Sequence, residues 1–282
     1  MNLLVGGKGP KKRAGKASRK AAPKARILTL IADIEGTLTD RSGRRSSEAL
    51  LHRLGELEAT GVCIVLCSGR SVLYQRALRE KWGLDPDGPC VAENGCSIFW
   101  KDREYMTYDP TTFDRDALVC FLKERGAGDI ADFDPDKNHA VTLYPPGFME
   151  GKDYSPADIE RIYRFIQKIL KGSSYGLFYT SASCEVLPGG VDKGAGLEPL
   201  LNLAGMDPSR ALFIGDGQND IPAARLILRG GGKVGAPANA VPGLKRLATY
   251  IAKEECFRGA LEVLDRLVPE RDNSRRVHRQ MP

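Results

Sequence analysis

The pattern of apolar and polar positions divides the chain into regions of two kinds. From Ile27 onward, the apolar runs ILTLIA, VCIVLC and PCVA alternate with segments of helical spacing. One predicted helix begins at Ser46 or Ser47 and ends at Gly61, and the next extends to about Trp82. Strands that alternate regularly with helices are typical of a parallel, doubly wound sheet.

Between about residues 97 and 188 the pattern changes. The segments SIFWKDREYMTY, AVTLY and YGLFYTSASCEVL are typical of strands or hairpins, and DRDALVCFLKERG and PADIERIYRFIQKIL of helices. We expect a smaller α+β insert here, an antiparallel sheet with two helices on one face. After Gly190 the first pattern resumes, with ALFIGD as its strongest strand. The sequence therefore predicts an α/β core over 27–96 and 189–267, interrupted by an α+β domain over 97–188.

Charge separates the N-terminal residues from the rest of the chain. Residues 1–26 carry nine Lys or Arg and no acidic residue. Because the whole chain has a net charge of +6, the remainder is mildly acidic. The basic segment has no hydrophobic period and is predicted to be disordered, as is the polar end over 268–282. A tail of this kind could bind nucleic acid by charge alone, resemble an organelle transit peptide, or be a solvated extension.

Composition limits the possible locations and cofactors. The seven cysteines include no CxxC pair and the three histidines are isolated, so we expect free, mostly buried thiols rather than disulfides or a zinc site. No apolar run is long enough for a transmembrane helix, and the start of the chain does not resemble a secretory signal. These features predict a cytoplasmic protein without a membrane partner. The oligomeric state stays open, a homodimer included.

Polar residues follow three strands of the predicted core, and a lysine begins a helix in VDKGAG. These residues are Asp33, Glu35, Ser68, Gly69, Asp216, Asn219, Asp220 and Lys193. In a doubly wound sheet, the carboxyl ends of such strands converge on one crevice. Clustered carboxylates repel one another unless protons or a metal ion intervene, and oxygen ligands without His or Cys select Mg²⁺.

Such a site is suited to phosphate chemistry. Asp33 is a candidate nucleophile, because a carboxylate can accept a phosphoryl group as an acyl phosphate. Glu35 could protonate the leaving oxygen and later take a proton from water, while its carbonyl, turned by Gly36, faces the metal. The sequence therefore predicts a phosphate-processing metal site.

The segments DIEGTLT, SGR, ENG, VDKG and GDGQND, in this order, resemble the haloacid dehalogenase (HAD) superfamily of phosphatases. The insert resembles that superfamily's class II cap, and the whole pattern is most similar to the archaeal phosphoglycolate phosphatase group, which shares the ENG turn and a late PANA segment. The resemblance covers roughly residues 27–267. It implies a HAD-like Rossmannoid core with an inserted cap that closes over the site.

The resemblance also implies roles for the residues at the strand ends. Asp33 would be the nucleophile and a Mg²⁺ ligand, and Glu35 the acid/base that lends its carbonyl to the metal. Asp216 and Asp220 would complete the metal site. The family usually has Asp at the position of Glu35, but its enolase-phosphatase branch also has DIEGT, so Glu is compatible with hydrolysis.

A second group of residues would bind the phosphate. The resemblance implies that Ser68, Gly69 and Lys193 hold it, with Asn219 hydrogen-bonding beside the metal site. Arg70 could orient phosphate or form a salt bridge to the cap, and Asn94 is expected to shape the turn at which the chain leaves for the cap. We expect Asn239 in PANA to brace the loop beside the metal.

The function expected from this resemblance is a Mg²⁺-dependent phosphatase acting on a small phosphorylated metabolite, 2-phosphoglycolate first, through an aspartyl-phosphate. Sugar phosphates and mannosyl-3-phosphoglycerate-type substrates are alternatives, as is a phosphomutase. An alternative of another class is a HAD scaffold that has lost catalysis and binds nucleic acid through its basic tail.

Overall fold

Within residues 27–180 and 182–268, which the computed structural model describes, the strands form two separate sheets. The strands are β1 (Thr29–Ala32), β2 (Cys63–Cys67), β3 (Cys90–Ala92), β4 (Ser97–Trp100), β5 (Arg103–Met106), β6 (Asp132–Phe133), β7 (Val141–Tyr144), β8 (Gly176–Tyr179), β9 (Cys184–Leu187), β10 (Ala211–Ile214), β11 (Lys233–Ala236) and β12 (Tyr250–Ile251). The α-helices are α1 (Glu48–Ala59), α2 (Val72–Lys81), α3 (Arg115–Glu124), α4 (Pro156–Ile169), α5 (Lys193–Ala204), α6 (Ile221–Arg229), α7 (Pro242–Lys245) and α8 (Cys256–Leu267). The predicted tails, over 1–26 and 268–282, lie outside the described residues except for Val268.

The larger sheet has the strand order β12-β11-β10-β1-β2-β3-β4-β5. The six strands from β12 to β3 in this order run parallel to one another. The last two pairs, β3 with β4 and β4 with β5, are antiparallel. The chain order reverses at β1, which lies between β10 and β2. Loops that follow adjacent strands at such a reversal diverge and leave a crevice at the carboxyl edge. The predicted doubly wound α/β core is confirmed.

Helices cover both faces of this sheet. On one face, Leu54 of α1 and Val263 of α8 share an apolar cluster with Leu30 of β1. On the other, Ile227 of α6 packs in a second cluster with Ile31. Successive strand residues point to opposite faces, so strands covered on both sides must be apolar throughout. This explains the uninterrupted apolar runs in the sequence.

The helix predicted to begin at Ser46 or Ser47 is α1, and Ser47 is its N-cap. The Ser47 side chain accepts a hydrogen bond from the backbone N–H of Leu50. After Ala59 the chain passes through Gly61, whose φ of +83° is accessible to glycine at little cost. Both predicted ends of this helix are thus close to the observed ones.

The smaller sheet has the order β6-β7-β9-β8 and is antiparallel throughout. Leu122 of α3 and Ile166 of α4 pack against Val141 and Val186 on one of its faces. This is the predicted α+β insert, an antiparallel sheet with two helices on one side. We call it the cap.

The hairpin of β4 and β5 differs from the prediction, which placed residues 97–188 together in the insert. Its first strand pairs with β3, with Ala92 opposite Ser97, so the hairpin extends the core sheet instead. Glu93 and Asn94 have φ of +47° and +57°. This turn reverses the chain against β3 before it continues to the cap. Strand composition alone cannot show which sheet a hairpin joins.

Two further expectations concern the thiols and the membrane. All seven cysteines lie within the described ranges and are free, and Cys67, Cys90, Cys96 and Cys184 are buried. Among the described residues, no helix combines the length and apolar character required to span a bilayer.

Candidate active site

The loops after β1 and β10 bring three carboxylates to one point at the carboxyl edge of the core sheet. Asp33 directly follows β1, Asp216 follows β10, and Asp220 precedes α6. One carboxylate oxygen from each residue lies within 4.8 Å of those of the other two. Asp33 and Asp220 are buried and Asp216 is partly exposed. The sequence predicted that these residues share a site, and the structure brings them together.

A glycine allows the two acidic loops to approach each other. Gly36 has a φ of +76°, and a Cβ at this position would lie 2.5 Å from Asp216 Oδ2. Thr37 Oγ1 donates to Asp216 Oδ1 at 3.2 Å. Asn239 Nδ2 donates to both Gly36 O and Asp216 Oδ2, at 2.8 and 2.9 Å. Asn239 therefore braces the acidic loops, as predicted.

Lys193 joins two of the carboxylates from the first turn of α5. Its Nζ donates to Asp33 Oδ1 at 2.7 Å and to Asp220 Oδ1 at 2.6 Å. The other oxygen of Asp220 accepts the backbone N–H groups of Asp216 and Gly217, which orients the loop that carries Asp216. Burial alone lowers the pKa of the Lys193 ammonium, but Asp220 and Asp33 outweigh burial and raise it. Lys193 is therefore a permanent cation in this site.

One lysine does not neutralise three acids, and their pKa values reflect this. Burial raises the pKa of Asp33 well above its usual value, although Lys193 opposes the rise. Burial, and then the charge of Asp220, raise the pKa of Asp216 to about 7. Raised pKa values mean that these carboxyl groups are costly to ionise together in the absence of a cation. A hard divalent cation binds carboxylate oxygens and favours the ionised forms, so the cluster suits such an ion. The residues present thus fit the metal implied by the sequence.

Glu35 has a different environment from the three aspartates. Its carboxylate accepts from Arg70 Nε at 2.5 Å and from Ser68 Oγ at 3.1 Å. Burial raises the pKa of Glu35, but Arg70 outweighs burial and the net pKa is lowered. Of the two roles considered for Arg70, the structure therefore shows a salt bridge, but to Glu35 within the core.

The remaining predicted phosphate-binding residues lie on the loop after β2 and beside it. Ser68 is fully buried, and a Cβ on Gly69 would lie 3.0 Å from Asn94 Nδ2. Asn219 Nδ2 donates to Asn94 Oδ1 at 2.9 Å, which connects the acidic loop to the turn after β3. Backbone bonds from Glu93 N to Arg70 O and from Asn94 N to Ser68 O complete this packing. All eight predicted site residues therefore lie in one region, and their individual roles stay predictions.

Two residues at this site were not identified from the sequence. Lys137 of the cap donates from Nζ to the carbonyl oxygen of Gly69. Glu93, at the start of the ENG turn, accepts the backbone N–H groups of Asn138, His139 and Ala140 of the cap. The ENG segment was noted only as a motif, and no feature of the sequence shows that its acid contacts residues more than 40 positions away.

The fold and this site together define a doubly wound α/β protein with carboxylates gathered at the carboxyl edge of its parallel strands. The chain belongs to the haloacid dehalogenase-like hydrolase family, whose sequence model matches residues 30–130 and 129–264.

Curated relatives match over nearly their full length. Phosphoglycolate phosphatase of Methanopyrus kandleri is 27% identical over 245 residues, covering 86% of this chain and 98% of the relative. Phosphoglycolate phosphatase of Aeropyrum pernix is 29% identical over 241 residues, covering 84% and 91%. The chain is thus similar to these enzymes across both the core and the cap.

Solved structures show the same fold. A crystal structure of a Thermoplasma acidophilum protein has a TM-score of 0.67 at 20% identity, covering 87% of this chain and 100% of that chain. Sucrose-phosphatase of Synechocystis, solved with sucrose and phosphate, has a TM-score of 0.60 at 21% identity, covering 86% and 98%. At these identities the likeness supports the fold of core and cap together.

Proposed function

We propose that this protein is a Mg²⁺-dependent phosphatase that hydrolyses a small phosphorylated metabolite, with 2-phosphoglycolate as the first candidate. The observation that carries the proposal is the carboxylate cluster of Asp33, Asp216 and Asp220 with Lys193 buried inside it. The similarity to phosphoglycolate phosphatases over most of the chain supports the substrate class.

Side chains of Asp33, Asp216 and Asp220, with the carbonyl of Glu35, would hold Mg²⁺. The bound ion supplies positive charge that favours the ionised carboxylates and attracts a phosphate dianion. Lys193 adds a fixed cation and holds one oxygen of Asp33. The other oxygen of Asp33 is then the atom that attacks phosphorus.

The reaction proceeds in two steps. In the first, the Asp33 oxygen forms a bond to phosphorus as the bond to the leaving alkoxide oxygen breaks, and Glu35 supplies a proton to that oxygen. In the second, water attacks the aspartyl-phosphate, Glu35 takes the proton of the water, and phosphate is released. Arg70 stabilises the ionised Glu35 that the second step requires. The first step requires protonated Glu35, a form that the contact with Arg70 disfavours.

The test is phosphate release from 2-phosphoglycolate and a panel of phosphorylated metabolites, with Mg²⁺ and with a chelator. Asp33→Asn keeps the size of the side chain and removes the nucleophilic oxygen. We expect the rate to fall by more than about 10³-fold. The exposed Asp153→Asn in the cap is the matched control and keeps the wild-type rate. A wild-type protein that releases no phosphate from any panel member, or an Asp33→Asn variant of full activity, contradicts the proposal.

A further inference from the structure

The cap sheet has a buried polar face opposite its helices. Along β7, Val141 and Leu143 join the apolar cluster of the cap, so the alternating Thr142 and Tyr144 point to the other face. Glu185 of β9 lies on this second face, where its carboxyl accepts from Thr142 Oγ1 at 2.6 Å. Thr142, Tyr144 and Glu185 are all less than 9% exposed, although α3 and α4 pack against the opposite face of the cap sheet. The core loop after β2 lies near this side, since Lys137 of the cap donates to the carbonyl oxygen of Gly69 in that loop. Burial raises the pKa of Tyr144, and the charge of Arg70 opposes the rise.

Lys137 lies between this face and the core. The residue is 5% exposed, and its ammonium donates to the carbonyl oxygen of Gly69. Within residues 27–180 and 182–268, no carboxylate oxygen lies within the 4.0 Å of a salt bridge to Lys137 Nζ. An ammonium has three donors, and an unpaired buried charge is costly. Lys137 therefore has capacity for an anion that the described residues do not supply.

The nearby acids of the cap are already engaged. Glu185 accepts from Ser183 Oγ at 2.7 Å as well as from Thr142. Asp134 accepts from Tyr144 Oη at 3.1 Å and from the backbone N–H of Asp136 at 2.9 Å. Neither carboxyl forms a salt bridge with Lys137, although the charge of Lys137 opposes the rise that burial causes in the pKa of Glu185.

The peptide between Gly69 and Arg70 locates Lys137 relative to the phosphate site. The N–H of this peptide donates to Ser68 Oγ at 3.3 Å, and its carbonyl oxygen accepts from Lys137. The peptide is trans, so its N–H and C=O point in opposite directions. The Ser68 hydroxyl and the Lys137 ammonium thus lie on opposite edges of one peptide unit. Only this one peptide unit separates the two groups along the loop.

Glu93 fixes the segment that follows Lys137. Its carboxylate accepts the N–H of Asn138 at 2.9 Å, of His139 at 2.9 Å and of Ala140 at 2.7 Å. The backbone N–H of Glu93 donates to the carbonyl oxygen of Arg70 in the core loop after β2. Through Glu93, the core therefore fixes the position of the segment that carries Lys137. Glu93 is therefore a positioning residue for Lys137.

We propose that Lys137 binds a second anionic group of the substrate, a carboxylate separated from the phosphate by a short carbon chain. This inference rests on the proposed phosphatase function and specifies what the cap selects. It makes Lys137 the residue that distinguishes phosphorylated small acids from uncharged phosphate esters.

The experiment compares 2-phosphoglycolate with 2-hydroxyethyl phosphate, in which a hydroxymethyl group replaces the carboxylate. The readout is the preference, which is the ratio of the two kcat/KM values. We expect the wild-type protein to prefer 2-phosphoglycolate, and Lys137→Met to reduce this preference about 10- to 100-fold, mainly through the KM for 2-phosphoglycolate. Lys137→Arg should restore much of the preference, and the exposed Lys171→Met is the matched control that keeps all of it.

The outcomes separate this inference from the proposed function. If the wild-type protein hydrolyses both esters and Lys137→Met slows them equally, Lys137 serves the phosphate or the fold and the inference is wrong. A wild-type protein without preference for 2-phosphoglycolate also overturns it and leaves the phosphatase proposal intact. A wild-type protein that hydrolyses neither ester nor any member of the metabolite panel overturns both.

Discussion

The two sheets of this protein use polar residues in different ways. The central strands of the core sheet are apolar on both faces, and the polar site residues follow their ends, as Asp33 follows β1 and Asp216 follows β10. The cap sheet is apolar on one face only, and its polar residues, such as Thr142 and Glu185, lie within the strands. The comparison teaches that the core sheet places its polar residues in loops at one edge, whereas the cap sheet places them on a strand face that is turned away from its helices.

The strongest test of the core site is Lys193→Met. The substitution leaves Asp33 and Asp220 buried without their cation, so we expect a loss of about 3–5 kcal/mol in the free energy of unfolding at pH 8 without metal. The measurement is urea unfolding, and the exposed Lys81→Met at the end of α2 is the control. A loss below about 1 kcal/mol would show that these acids do not depend on Lys193.

The carboxylate cluster also predicts a pH dependence of stability. The pKa of Asp216 is raised to about 7 in the folded protein. The folded state therefore holds a proton that the unfolded state has already released, and the resulting stability is present at acid pH and lost as pH rises through about 7. We expect the metal-free protein to lose on the order of 2–4 kcal/mol between pH 5 and pH 8.

Addition of Mg²⁺ tests whether the ion binds the ionised carboxylate cluster. Because the ion favours ionised carboxylates, it should raise Tm more at pH 8 than at pH 5.5. Thermal unfolding with Mg²⁺ and with a chelator at both values measures this difference. The Asp216→Asn variant, which cannot ionise at that position, should show a weaker pH dependence. Equal Mg²⁺ effects at the two pH values would contradict the assignment of the ion to this cluster.

Glu93→Gln tests the connection between the two regions. Glutamine offers one carbonyl oxygen and no charge to the N–H groups that the Glu93 carboxylate accepts, so we expect a loss of about 1–3 kcal/mol in the free energy of unfolding. The preference for 2-phosphoglycolate should fall as well, because the segment that carries Lys137 is loosened. The exposed Glu124→Gln on α3 is the control. A lower Tm with unchanged preference would make Glu93 purely structural.

The smallest expected effect compares adjacent residues on opposite faces of β7. Val141→Thr places a hydroxyl in the apolar cluster of the cap and should cost about 1–3 kcal/mol. Thr142→Val removes one of the two hydroxyl donors of Glu185, and the hydrogen bond from Ser183 remains. The free energy of unfolding should fall by about 1 kcal/mol or less. Urea unfolding of both variants measures the difference. Equal costs would contradict the assignment of one apolar and one polar face.

The core could be predicted from the sequence because its signals are local. An apolar run that ends at Asp33, and another that ends near Asp216, locate the carboxyl edge of a parallel sheet, and the motif order identifies the family. The sequence also predicted that Asn239, in the PANA segment after β11, braces the acidic loop, and its bonds to Gly36 and Asp216 agree with this. Each of these inferences depended on a strand and the loop directly after it.

The cap contacts could not be predicted because they join distant positions. Nothing in the sequence pairs Glu93 with residues 138–140 or Lys137 with Gly69, and the hairpin of β4 and β5 has a composition that suits either sheet. The partner of Glu35 was missed for a related reason. A longer side chain changes which cation it can reach, and only the geometry shows that it reaches Arg70.

The contacts of Glu93 with residues 138–140 also limit movement of the cap relative to the core. If residues 138–140 left the core, a buried carboxylate would lose all three of its backbone donors at once, at a cost of roughly 1.5–3 kcal/mol each. Any movement of the cap relative to the core therefore costs least when this short segment keeps its contacts with Glu93.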